Sequence, residues 1–151
     1  AEVRTPVEQR PSIEQVERDY VAMIKQAQRV LTDRFGAGNW IQLGEPTDVS
    51  GCRENIDGGE SRYYNFGVGD PISDQDWDGA LQAVARIVAE QGFTGVEEYI
   101  DKPGDHDARI HHPDGGYVDF GTKKATVLAV TTGCHLTEEA LAERDSGQAS
   151  R

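Results

Sequence analysis

The sequence predicts an α+β domain, a two-layer sandwich in which two long helices pack on a largely antiparallel sheet of about five to six strands. Three observations carry that reading. Ser12 to about Arg34 and Asp70 to Phe93 repeat apolar residues at helical spacing. Several shorter runs are alternating or uniformly apolar, as strands are. The connections between the later runs are too short for helical crossovers, so neighbouring strands pair as hairpins.

Residues 1–11, AEVRTPVEQRP, hold two prolines and no apolar period and read as a flexible leader or tether. One globular domain is expected over 12–136, and 137–151 reads as a polar tail in which Thr137 can cap a short helix. The first helix starts at Ser12, with Gln15 in capping-box spacing. Ile13, Val16, Tyr20, Met23, Ile24, Ala27, Val30 and Leu31 hold one face, and Gly36 and Gly38 end it. Trp40 to Leu43 is expected as a first strand, and Glu45 to Glu60, rich in glycine, as a long loop. Arg62 to Val68 alternates and is aromatic, which suits a strand with Tyr64, Phe66 and Val68 inward. In the second helix Ser73 is the cap, and Asp74, Asp76 and Asp78 complement the positive end of the dipole. Trp77, Leu81, Val84 and Val88 form its stripe, widened by Ala80 and Ile87. Gly92 supplies a left-handed stop, after which Phe93 folds back.

Gly95 to Asp101 is a strand whose inward side is ambiguous. A hairpin follows over Asp107 to Thr122. A loop of two or four residues would pair Ile110 with Asp119, mixing core and solvent residues on each face. A three-residue loop, Asp114-Gly115-Gly116, instead pairs His112 with Val118, Ile110 with Phe120 and Ala108 with Thr122. The other face then carries His111 opposite Asp119, beside Arg109. Ala125 to Thr132 is apolar on both alternating sets and reads as an interior strand covered on both sides.

Charge narrows the partners. The 151 residues carry 27 carboxylates against 15 Lys and Arg, a formal net charge of -12, so the field repels phosphate backbones and anionic headgroups. Nucleic-acid binding is disfavoured; cationic or neutral partners stay open. No apolar run approaches membrane-spanning length. The chain starts at Ala1 without Met, which suggests a processed or a trimmed form. Cys52 and Cys134 fit no CxxC or zinc spacing. They are either unrelated thiols of a cytosolic protein or one disulfide of an exported one, and the neighbouring Gly51 and Gly133 at strand-end positions favour the disulfide.

The densest polar cluster is Asp105, His106, Asp107, Arg109, His111 and His112, with Asp119 across the hairpin. Imidazoles and carboxylates are transition-metal ligands, so His106, His111 and Asp119 are the candidates for a metal site. The expectation is nonetheless no metal. Neighbouring His111 and His112 point to opposite strand faces, and His106 lies roughly 16 Å along the strand from His111. No GxSxG elbow, GxxxxGK[ST] loop or strand-to-helix GxGxxG is present, so no catalytic residue and no cofactor is expected.

The segments RPSIEQVERDYVAM, SGC, PIS-x-x-x-W, the GF closing that helix, NFG and ATVLAVTTGCHL together resemble the LppA-type mycobacterial lipoproteins over about Arg10 to Leu136. The resemblance implies a secreted precursor with its signal peptide removed. Its lipid-modified cysteine would lie upstream of Ala1, and the domain would be displayed on the outer face of the cytoplasmic membrane or secreted. That anchoring cysteine is not in this chain. Cys52 and Cys134 match the cysteine positions of the family, which supports the disulfide. The family brings no catalytic residues. The reading is therefore an extracytoplasmic, non-enzymatic binding or interaction module for an envelope protein, peptide or small ligand, touching membrane only through an N-terminal lipid anchor. The alternative is an envelope enzyme or metal-binding protein using the hairpin cluster of residues 105–119.

Overall fold

The computed structural model describes residues 4–42, 47–49, 52 and 56–149. Among the described residues the fold is α+β, with three α-helices and a seven-stranded antiparallel sheet. Helix α1 runs Ile13–Phe35, α2 Asp74–Ala89 and α3 Glu138–Ala149. The strands are β1 (Thr47–Val49), β2 (Gly59–Gly69), β3 (Gly95–Lys102), β4 (Asp105–His111), β5 (Tyr117–Thr122), β6 (Thr126–Thr131) and β7 (His135–Leu136). Six lie in the order β1-β2-β6-β5-β4-β3, and β7 pairs the start of β2.

Both long helices start and stop where their end residues dictate. The Ser12 hydroxyl accepts from the Gln15 N–H at 3.1 Å and the Ser73 hydroxyl from the Asp76 N–H at 3.2 Å. Gly36 takes φ 70° after α1, and Gly92 takes φ 91° after α2. The Gly92 N–H then donates to Ala89 O and the Phe93 N–H to Val88 O, which returns Phe93 to the core. Every residue expected on the α1 stripe is buried except half-buried Val30, and on α2 Ala83 is buried while Ile87 is half-buried. These stripes share one core with Tyr64, Phe66, Ala108, Ile110, Val118, Phe120, Leu128 and Val130 of the sheet.

Other expectations need correction. Trp40 to Leu43 is no strand: Ile41 makes one isolated bridge to Val68, and Leu43 lies outside the described residues. The 45–60 loop contains β1, a three-residue strand that exists because β2 offers it an edge. Strand β2 begins three residues early by pairing β1 and β7, and a bulge between Asn65 and Gly67 shifts its phase, so Val68 is half-exposed. The hairpin has a three-residue loop placed one residue earlier, Pro113-Asp114-Gly115. The His112 N–H donates to Gly116 O, the Gly115 N–H to His112 O, and Gly115 takes φ 101°. Ile110 therefore pairs with Val118, Ala108 with Phe120, and His111 with Tyr117 instead of Asp119. A one-residue displacement of the loop moves the register by two, so each side chain keeps its face.

Residues 4–11 pack against the domain instead of standing clear as a leader. Val7 is buried in a one-turn helix, and buried Arg10 donates from Nη1 to Cys134 O at 2.6 Å and from Nε to Thr5 O at 2.8 Å. A second small core joins Val7, Cys134 and Leu136 to Cys52, Ile56, Ala140 and Leu141. The third helix belongs there, capped by Thr137, whose hydroxyl accepts from the Ala140 N–H at 3.0 Å. Cys52 and Cys134 form a disulfide across this cluster, their Cα atoms 5.2 Å apart. Among the described residues no helix is long and apolar enough to cross a membrane.

Candidate functional site

The face of the sheet turned away from the core cluster carries the candidate site. Pairing across β6, β5, β4 and β3 aligns Ala129, Asp119, Arg109 and Glu97 in one row. The next row toward the β4–β5 turn holds Thr131, Tyr117 and His111, and the next row away from it holds Val127, Gly121 and Asp107. A groove of about 380 Å³ opens here, bordered by Tyr63, Ile100, Asp105, His106, Asp107, Arg109, Asp119, Gly121, Thr122, Lys123, Ala125, Val127 and Ala129. Small residues make the concavity. A Cβ at Gly121 would approach His106 O to 2.9 Å and Asp107 Oδ1 to 3.2 Å, so only glycine lets β4 and β5 close beneath the groove.

This face corrects the expectation of an interior strand covered on both sides. Leu128 and Val130 of β6 are buried under the helices, whereas Val127, pointing the other way, is half-exposed in the groove wall. Ala129, on the same outer face, is buried, so the expectation fails at Val127 and holds at Ala129.

Arg109 is held rigidly. Its Nε donates to Asp119 Oδ1 at 2.8 Å and Nη2 to Asp119 Oδ2 at 3.3 Å, a two-pronged pair. The guanidinium also lies 3.9 Å from the Tyr117 ring centre and 5.8 Å from that of Tyr99. The carboxylate of Asp107, two residues before it, has no hydrogen bond or ion pair among the described residues. Partial burial, then the nearby charge of Asp119, push its carboxyl above the ordinary value against the pull of Arg109. A half-buried carboxylate without a partner can take a hydrogen-bond donor or a cation from a ligand.

The three metal candidates are not brought together. His111 and Asp119 share the outer face but bond elsewhere: His111 Nε2 lies 2.9 Å from Glu97 Oε1, and Asp119 is taken by Arg109. His106, 6% exposed, turns to the helix side, where Trp77 stacks between its ring and that of Phe120 at centroid distances of 5.0 and 4.8 Å. Its Nδ1 is 2.9 Å from Asp101 Oδ1 and its Nε2 2.7 Å from Asp74 Oδ1. A neutral imidazole donates from one nitrogen, so two carboxylate acceptors call for the imidazolium. Burial pulls its pKa down, but the bonds to Asp74 and Asp101 outweigh that and raise it above 6.5. Among the described residues, no three or more His, Cys, Asp or Glu side chains are arranged to hold a metal ion.

Sequence reading missed Val127, Ala129 and Tyr63 as groove residues, because an apolar position on a central strand carries the same signal whether a helix or a ligand covers it. It also missed the Asp74–His106–Asp101 chain, whose members come from α2, β4 and β3.

The family model LppA, described as a lipoprotein confined to pathogenic Mycobacterium, matches residues 1–138. The crystal structure of LppA from Mycobacterium tuberculosis is similar at 18% identity and a TM-score of 0.71, covering 89% of this chain and 84% of that one. A DUF4853 family protein from Actinomyces odontolyticus is similar at 19% identity and a TM-score of 0.64, covering 89% and 75%. At these identities the likeness is one of fold. No curated protein matches.

Proposed function

The chain belongs to the LppA lipoprotein family, and on that premise we propose that it is a non-enzymatic binding module of the cell envelope, with the bare outer face of its sheet as the ligand site. The observation that carries this is the groove on that face, where apolar Val127 and Ala129 meet the unpartnered Asp107 and the braced Arg109. Apolar lining with a few convergent polar groups is what a small-ligand or peptide site needs. The helices α1 and α2, read as one layer, leave this face free. Display outside the cytoplasmic membrane accords with the lipoprotein family and with the Cys52–Cys134 disulfide, since such bonds persist in oxidising compartments.

The test is a thermal-shift screen of amines, short peptides and envelope-type small molecules, with divalent metals included. A ligand held at a hundred times its Kd stabilises the native state by about 2.7 kcal/mol. We expect an organic ligand or peptide to raise Tm. Stabilisation by a divalent metal alone would contradict the proposal and favour a metal-binding role.

A further inference from the structure

We propose that β3 is a docking edge for an extended, basic polypeptide segment, which adds to the sheet as a further strand. Strand β3 is the outermost of the six and, among the described residues, pairs only with β4, which leaves the far edge of its eight residues without a strand partner there. The helix layer stops short of it. Val96 is 48% exposed although Ile110, its partner on β4, is fully buried, and Tyr99 on the other face is 52% exposed. Such an edge, bare on both faces, can template an incoming strand, with main-chain bonds giving affinity and alternate side chains giving choice of partner.

The charge of the strand decides the occupant. Glu97, Glu98 and Asp101 stand against the single cation Lys102. Pairing with a second copy would set two strands of net negative charge side by side, which is how an acidic edge resists self-association. Toward lysine or arginine the same charges attract. The Glu98 side chain is the open contact: Glu97 is taken by His111 and Tyr99 and Asp101 by His106, whereas the Glu98 carboxylate has no hydrogen bond or ion pair among the described residues. Tyr99 stands at a bulge between Glu98 and Ile100 and is 52% exposed, so its ring is open to an apolar side chain of the incoming strand.

The experiment titrates the full chain with a capped eight-residue peptide alternating Lys and Val, and with its Glu-Val counterpart, reading backbone amide exchange and affinity. Binding of the Lys-Val peptide alone is expected, with new protection at alternate amides within 95–102. Glu98→Lys should weaken it by about tenfold while Tm stays unchanged. Protection confined to the groove strands, binding insensitive to Glu98→Lys, equal binding of both peptides, or no binding would each overturn the proposal. So would dimerisation of the chain through β3 in sedimentation.

Discussion

At the level of single residues, the buried ring of His106 ties α2 to β3 and β4. Its raised pKa gives the linkage a definite sign. The contribution of His106 is complete below the ordinary histidine value of 6.5 and is lost as pH rises through the folded value. Asp74, lowered by the Gly104 N–H and then by His106, and Glu97, lowered by His111 and then by Tyr99, run the opposite way. Their contributions are present above ordinary carboxylate values and are lost as pH falls. Buried His135, held neutral by desolvation, opposes His106 in acid, so a difference measurement is needed. Urea unfolding of the wild type and of His106→Phe at about pH 6 and about pH 8 supplies it. The wild type should lose stability relative to the variant at the higher pH; parallel behaviour would show that the imidazolium is not the stabilised form. None of this was legible in the sequence, since Asp74 and His106 stand 32 positions apart and only packing brings them to 2.7 Å.

Among the elements, those specified by their own residues could be read and those specified by a neighbour could not. Helix α2 falls in the first class: cap, stripe and left-handed stop are all local signals, and Trp77, at the start of its stripe, is 1% exposed. Changing Trp77 to Ala should cost about 3 to 5 kcal/mol in chemical denaturation, the usual loss for a buried aromatic. A loss below about 1 kcal/mol would mean that the helix does not depend on this contact. The hairpin is intermediate. Its loop length and faces followed from alternation and glycine, but Pro113 at the second turn position places the turn one residue earlier and was the signal left unused. Strand β1 is in the second class, as Thr47–Val49 has no pattern of its own and is a strand only through its register with Ser61 to Tyr63.

Across the whole molecule the two faces of the sheet differ, and two cores divide the work. The large core joins residues of α1 and α2 to residues of the sheet, while the small one gathers residues near both ends of the described chain around the disulfide. With its cysteines 82 positions apart in sequence, that bond should contribute about 4 to 5 kcal/mol by the chain-entropy estimate. Reduction should therefore lower the denaturation midpoint markedly, and titration of the unfolded, unreduced chain should find no free thiol. Two reactive thiols would remove both the bond and its support for an exterior location. The other face, with its groove, is where binding is proposed, and Val127→Arg probes it without touching the core. Val127 is half-exposed in the groove wall, and an arginine there can meet the unpartnered Asp107. The most direct test is calorimetric titration of the strongest ligand from the thermal-shift screen into the wild type and Val127→Arg. The account expects affinity to fall by about tenfold or more with the unliganded Tm unchanged; equal affinity in the two proteins would place the ligand elsewhere and contradict it.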